Sequence, residues 1–290
     1  MESIPAAAST PSASARRFVE LTNVSLRYGG PGGIEALKGA SLTMADGEFV
    51  AVVGPSGCGK SSLMKLISGL ERATEGDVIV DGQGVTGPLK IVGMAFQNPV
   101  MLPWRSTLKN IMLPLEIVQP HRSRLSRERA AYLERADKLL RAVNLSGFEQ
   151  RFPWQLSGGM QQRANLCRAL IHEPRLMLLD EPFGALDAFT REELWDVMQT
   201  LWLEQRFTAM LVTHDLVESV YLADRVVVVS DRPGKIIYEK VVDLPRPRPP
   251  GIRYEPVFVE MVQEIREHIV FARTQLNSDT TTPSPVAAAS

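Results

Sequence analysis

Eight residues, Gly54-Pro55-Ser56-Gly57-Cys58-Gly59-Lys60-Ser61, carry the pattern GxxxxGK[ST]. They follow a short apolar run, FVAVV from Phe49 to Val53, and precede SSLMKLISGL, which reads as a helix ending near Gly69. A glycine-rich turn between a buried strand and a helix is the setting this pattern requires. Its glycines let backbone N–H groups converge on phosphate oxygens, and the helix that follows points its positive end at them. Lys60 then reaches the β- and γ-phosphates and the Ser61 hydroxyl is a ligand for Mg2+, with Ser62 counted in the same nucleotide-binding set. The chemistry expected here is the binding of ATP with Mg2+.

A second station lies downstream. The apolar run Leu176 to Leu179 ends in Asp180-Glu181. Beside a phosphate cradle, a carboxylate at a strand end is an Mg2+ ligand, which is the expectation for Asp180, while Glu181 polarises an attacking water as general base. Without the cradle, the same pair would read as a solvated strand end. A third stretch, LSGGMQQR from Leu156 to Arg163, makes Ser157 the N-cap of a helix with Ala164, Cys167, Leu170 and Ile171 on one face. Gly158 and Gly159 leave backbone N–H groups open to close approach. Its residues alone allow two readings, a capped helix with a flexible entrance or a second phosphate-binding helix end.

These stations need a scaffold, and the chain supplies one. It has 290 residues, 44% hydrophobic and 22% charged, ordinary values for a soluble globular protein. A net charge of -1 gives no reason to expect a nucleic-acid partner, and the basic cluster from His121 to Arg129 reads as a solvated helix face. Cys58 and Cys167 lie in unrelated patterns, which suggests neither a disulfide nor a zinc site and fits a reducing compartment. No run reaches the roughly 18–20 apolar residues that span a bilayer, so any membrane part belongs to a partner. The N-terminal stretch has neither the charged nor the continuous apolar region of a secretory signal. Small, polar, proline-bearing sequences at 1–17 and 277–290 read as disordered tails.

Alternating β-rich residues run from Phe18 to Tyr28 and on through ALKGASLTM, and GDVIVDG and IVGMAF add further strands. From about Asn98 to Leu170 helical signals dominate, notably SRERAAYLERADKLLRAVNL, whose Ala131, Leu133, Ala136, Leu139 and Leu140 fall near a 3.6-residue period. RLMLLDE, TAMLVTHD and RVVVVSD then return as buried strands between helices. The expectation is an α/β core at 18–244 with a helical subdomain inserted at about 98–170. A proline-dense stretch and the amphipathic run VFVEMVQEIREHIVFA form a C-terminal extension at 245–276.

In this order the stations resemble the ATP-binding subunit of ABC transporters over roughly residues 18–244. LSGGMQQR looks like the signature motif that separates this family from other P-loop proteins. The resemblance implies a P-loop NTPase core with an antiparallel β subdomain and an inserted helical subdomain. It also implies roles that the residues alone do not carry. Tyr28 would stack on adenine, Gln97 would be the Q-loop glutamine near Mg2+ and the reacting phosphate, Asp187 in GALD would be the D-loop aspartate, and His214 in VTHD would be the switch histidine. Met160 and Gly184 depart from the commonest family forms, glutamine and serine, without removing a charge or a phosphate donor.

The signature helix of one copy would then face the γ-phosphate held by the cradle of a second copy, giving a head-to-tail dimer around two ATP molecules. Similarity in QNPVMLPWRSTLKNI, DEPFGALDAFTR and DLPRPR points to the importer branch for nitrate, sulfonate and taurine. Such a subunit would sit on the cytoplasmic face of the membrane, bound to transmembrane permease subunits and served indirectly by a substrate-binding protein. The apolar residues Met101 to Trp104 would help form the groove for the permease. Two rivals are a non-transport ABC ATPase and a P-loop kinase of small substrates. The first usually carries paired cassettes or long coiled coils, which this sequence lacks, and the second needs no signature helix.

Overall fold

The computed structural model describes residues 16–30 and 32–279, with side chains described as far as 271. The tails expected at 1–17 and 277–290 lie outside the described residues except at their inner ends. There β1 takes in Arg17 and the last helix runs to Asp279, so regular structure passes both expected limits. Arg17 pairs in register with Ala45, and no proline or glycine interrupts residues 257–279.

Six strands form the main sheet, in the order β10-β9-β3-β8-β7-β6. They are β3 (Phe49–Val53), β6 (Val92–Ala95), β7 (Leu176–Asp180), β8 (Thr208–Val212), β9 (Arg225–Val229) and β10 (Ile236–Val241). The strands from β9 to β6 are parallel, and β10 closes one edge antiparallel to β9. A parallel sheet is covered on both faces, which is why FVAVV is apolar throughout, TAMLV is apolar after Thr208, and both are buried at every residue.

A second sheet, β2-β1-β4-β5, is antiparallel and consists of β1 (Arg17–Tyr28), β2 (Ile34–Ala45), β4 (Glu75–Val80) and β5 (Gln83–Gly84). Helix α1 (Lys60–Ser68) lies between the two sheets. Its Leu63, Leu66 and Ile67 share one buried cluster with Phe18, Leu21 and Met44 of the small sheet and Val50 and Val52 of β3. Burying each of these side chains contributes roughly 1.5–3 kcal/mol, and together they fix the start of α1 against the strand before it. The opposite side chains of β3, Phe49, Ala51 and Val53, belong to the other cluster.

Every regular element between β6 and β7 is helical: α2 (Thr107–Ile111), α3 (Leu113–Ile117), α4 (His121–Arg124), α5 (Arg129–Ala142), a short 3-10 turn and α6 (Gly158–Leu170). The stripe expected on α5 holds at Ala136, Leu139 and Leu140 and changes at its start. Tyr132, Ala136, Leu139 and Leu140 are buried, whereas Ala131 is exposed and Leu133 half-buried, because i, i+4, i+7 and i+8 lie in one row on a helix. The basic face of α4 is solvated as expected, although His121 Nδ1 turns back to within 3.0 Å of Tyr132 Oη.

Two long helices, α7 (Ala188–Gln205) and α9 (Pro256–Asp279), cover the second face together with the short α8 (Leu216–Leu222). The 245–276 extension packs on the core. Phe258 and Ile265 of α9 are buried in it, and Arg248 is among the largest fully buried side chains. No helix of the described residues is long and apolar enough to cross a membrane.

Candidate functional site

The ends of four adjacent parallel strands line up the residues of interest. Gly54 follows β3, Thr213 and His214 follow β8, Asp180 closes β7 and Gln97 lies just past β6. Ligands of open α/β sheets bind at this edge, outside the carboxyl ends of the strands.

The turn from Gly54 to Gly59 is shaped by its surroundings. Gly59 caps α1 at φ +104°, and a Cβ there would come 2.7 Å from the Ala36 carbonyl, so both conformation and space demand glycine. Cys58 sends its side chain into the core below, and burial raises its thiol pKa despite nearby Lys60. On the outer side, Arg232 donates from Nε (3.0 Å) and Nη2 (2.9 Å) to the Gly57 carbonyl. Lys60 Nζ is buried and donates to the carbonyls of Gly54 (2.9 Å) and Pro55 (2.8 Å), which holds the ammonium under the turn.

Ser61 and Asp180, 119 residues apart in the chain, meet where Ser61 Oγ donates to Asp180 Oδ1 at 3.1 Å. Burial raises the Asp180 pKa; the Ser61 hydrogen bond works against it and the charge of Glu181 adds to it. A cation would relieve both the burial and the repulsion. Among the described residues no group of three His, Cys, Asp or Glu side chains is placed to hold a metal ion. One hydroxyl and one carboxylate are a donor set that suits Mg2+, which takes few protein ligands and fills its shell with phosphate oxygens and water.

Glu181 turns away from the strand at φ +47°, a left-handed conformation that costs on the order of 1 kcal/mol in a non-glycine residue. Its backbone is tied on both sides, by its own N–H to the Val212 carbonyl (2.8 Å) and by its carbonyl to the Gly184 N–H (3.2 Å). The side chain then lies 3.2 Å from His214 Nδ1 through Oε2. Gln97 is beside the same loop: a Cβ built on Gly184 would sit 3.8 Å from Gln97 Nε2 and 3.9 Å from Glu181 Cβ. That contact distance is ordinary, so serine would fit where this chain has Gly184.

Tyr28 reaches the site from the small sheet. Its hydroxyl is 3.1 Å from Ser62 Oγ, and Lys65 Nζ lies 5.9 Å from its ring centre. The helix α6 is stitched to the segment around Gln97. Gln162 Nε2 (3.0 Å) and Asn165 Nδ2 (3.2 Å) donate to the Phe96 carbonyl, and Arg168 Nη1 donates to that of Val100 (2.7 Å).

The remaining expected residues stand apart from the cradle. Ser157 caps α6 by accepting from the Met160 N–H (3.3 Å), and Ala164, Cys167, Leu170 and Ile171 are buried as the stripe predicts. A Cβ on Gly159 would meet Leu186 and Thr190, whereas one on Gly158 would meet nothing. Asp187 caps α7 by accepting from the Thr190 N–H (3.0 Å), and that bond, with the Thr190 hydroxyl, lowers its carboxyl pKa. Among the described residues no hydrogen bond or ion pair joins 157–159 to 54–62. The cradle, Asp180, Glu181, His214 and Gln97 thus share one edge, and the glycine pair belongs to a separate, open helix end.

Three residues near the site escape sequence reading. Asp215 could have been found as an N-cap before the apolar run LVESVYL. Arg191 and Arg232 carry no local signal, because each acts on a backbone carbonyl brought close only by the fold.

Residues 37–184 match the ABC transporter domain family. The aliphatic sulfonates import ATP-binding protein SsuB of Bacillus licheniformis is 43% identical over 229 residues, 79% of this chain and 85% of that protein. An ABC transporter ATP-binding protein of Methanocaldococcus jannaschii, MJ0412, is 44% identical over 216 residues, 74% of this chain and 78% of its own length. Among solved structures, the dimeric post-hydrolysis state of the ATP-binding cassette MJ0796 bound to ADP and Pi superposes with a TM-score of 0.66 at 32% identity. It covers 78% of this chain and 99% of that one.

Proposed function

Because this chain belongs to the ABC transporter family, as an ATP-binding subunit with ATPase activity, we propose that it powers import of a small anion through a separate membrane permease. The favoured cargo class is nitrate, sulfonate or taurine, and the similarity to a sulfonate importer subunit supports it. The small-molecule kinase and the non-transport ATPase are not favoured by that similarity. One observation carries the reading: the Ser61–Asp180 and Glu181–His214 pairs share an edge with the cradle, and the Ser157 helix end is left open.

The residues divide the work. Backbone N–H groups of Gly54 to Ser62 and the Lys60 ammonium bind the phosphates, and Tyr28 lies against the adenine. Ser61 and Asp180, with Gln97 as the expected third ligand, would hold Mg2+, which when bound would screen charge on the phosphates. Glu181 orients and polarises the water, and His214, at 3.2 Å, fixes the direction of that carboxylate and contacts the γ-phosphate. Ser157, Gly158, Gly159 and Asp187 complete the site of a second copy, so two ATP molecules are held between two chains. Hydrolysis followed by loss of phosphate removes the bridging charge, and the pair opens.

Transport needs a mechanical link to the permease on the cytoplasmic face of the membrane, and the loop after Gln97 suits it. Trp104 is 70% exposed and Val100 equally so, yet Met101 is buried and Asn110 holds the loop through the Leu102 N–H (2.7 Å) and the Leu102 carbonyl (3.1 Å). An apolar surface on a braced loop fits a protein partner. A substrate-binding protein would deliver the cargo from the other side. Purifying the chain from its native membrane tests the assignment: the permease should come with the wild type and be lost with Trp104→Glu, while the ATPase rate of the isolated variant stays within about twofold. Permease retained by the variant would contradict this docking site.

A further inference from the structure

Arg191, in the first turns of α7, faces two loops at once. Its Nη2 donates to the Leu186 carbonyl at 3.0 Å, inside the GALD loop that starts at Gly184. Its Nη1 donates to Asp215 Oδ2 at 3.2 Å, one residue past His214. The other oxygen of Asp215, Oδ1, accepts the N–H groups of Val217 (2.9 Å) and Glu218 (3.1 Å) and so starts α8. The Asp215 N–H in turn is held by Thr213 Oγ1 (3.0 Å). His214 therefore sits in a loop whose following residue is fixed on one side by a helix and on the other by Arg191.

The Leu186 end leads outward. Leu186 lies against Gly159 of the open helix end, and Asp187 follows it at the mouth of α7. Backward along the chain, the Gly184 N–H bonds the Glu181 carbonyl at 3.2 Å. Arg191 thus closes a circuit: Glu181 to His214 through their side chains, His214 to Asp215 through the backbone, Asp215 to Leu186 through the guanidinium, and Leu186 back to Glu181. Arg191 Nε is buried in this corner without a hydrogen-bond partner, although buried polar groups are normally paired. An unused donor gives the guanidinium another bond to form if the loops shift.

We infer that Arg191 is a positioning residue that ties the loop facing the second copy to the loop carrying His214, so that docking of the second copy sets the Glu181–His214 geometry. The inference rests on the proposed roles of His214 and of the dimer. Lysine cannot replace the bridge, since a single ammonium lacks the planar fork that serves a carbonyl and a carboxylate together.

Steady-state ATPase kinetics on the full chain test it with Arg191→Ala, Arg191→Lys, His214→Ala and the Arg191→Ala/His214→Ala pair. Expected is a fall in kcat of about tenfold or more for both Arg191 variants with KM for ATP within about twofold. The double variant should be no slower than His214→Ala, since the arginine acts through that residue. Arg191→Lys keeps the charge and guards against loss of folding, and its thermal midpoint is measured alongside. Losses that multiply in the double variant, or wild-type kcat in Arg191→Lys, overturn the assignment while leaving His214 in place. Wild-type kcat in His214→Ala would sink the His214 reading itself, and with it the inference.

Discussion

At the scale of single residues, Glu218 shows how the site reaches below its visible surface. Its carboxyl is almost wholly buried under the His214 loop, where burial and the charge of Asp215 raise its pKa to about 8, against smaller opposing effects of Thr213 and Arg191. Between its ordinary value of 4.5 and that raised value, the folded chain keeps the proton and the unfolded chain gives it up. Stability attributable to Glu218 is therefore highest at acid pH and falls as pH rises through this window, by at most about 1.4 kcal/mol per unit, levelling off above it. Urea unfolding of wild type and Glu218→Gln from pH 5 to 8 should show a smaller slope in the variant; equal slopes would contradict the buried neutral acid. Nothing in the sequence separates Glu218 from the exposed acids around it. Lys60, Ser61 and Asp180 could be read because their spacing encodes a strand, a turn and a helix. The Arg191–Asp215 pair could not, because the two residues lie 24 apart in the chain and meet only through the packing of α7 against the start of α8.

At the scale of elements, apolar runs were enough to find the buried strands, and the Ser157 cap was enough to find the start of α6. Where patterns were weaker the structure differs. The α5 stripe differs at its start, where Tyr132, an amphipathic side chain, took the core position that Ala131 was expected to fill. The C-terminal extension had no readable role, since its anchor is an arginine that composition marks as a surface residue. Arg248 Nη1 donates to the carbonyls of Val220, Tyr221 and Ala223 at 2.7–2.9 Å, which satisfies the end of α8. Gln199 clasps its backbone from both sides. No carboxylate pairs with it among the described residues, and burial, then Arg246, lower its pKa to about 9, still protonated at neutral pH. Arg248→Ala should cost about 3 kcal/mol by leaving buried carbonyls unpartnered, read as a drop in the unfolding midpoint. A change under about 0.5 kcal/mol, the usual range for surface positions, would show that the strap is not an anchor.

For the whole molecule, the arrangement of the two glycine-rich stretches is the informative feature. One is built into a braced cradle with Lys60, Ser61 and Asp180; the other ends in open space at Gly158. On the proposed reading, a chain with a complete cradle and an unfilled helix end completes its site by pairing with a second copy; the similar cassette MJ0796 is dimeric in its post-hydrolysis state with ADP and Pi. Exposed aromatic residues border the faces that would meet, Trp154 stacked on Phe152 before the signature stretch and Phe189 at the start of α7. The most direct test is the mass of Glu181→Gln in solution with saturating ATP and Mg2+, with Ser157→Arg added to the same chain as the comparison. The account predicts a dimer for Glu181→Gln, and for the double variant a monomer that still binds ATP. A monomeric Glu181→Gln, or a dimer unaffected by Ser157→Arg, would contradict it.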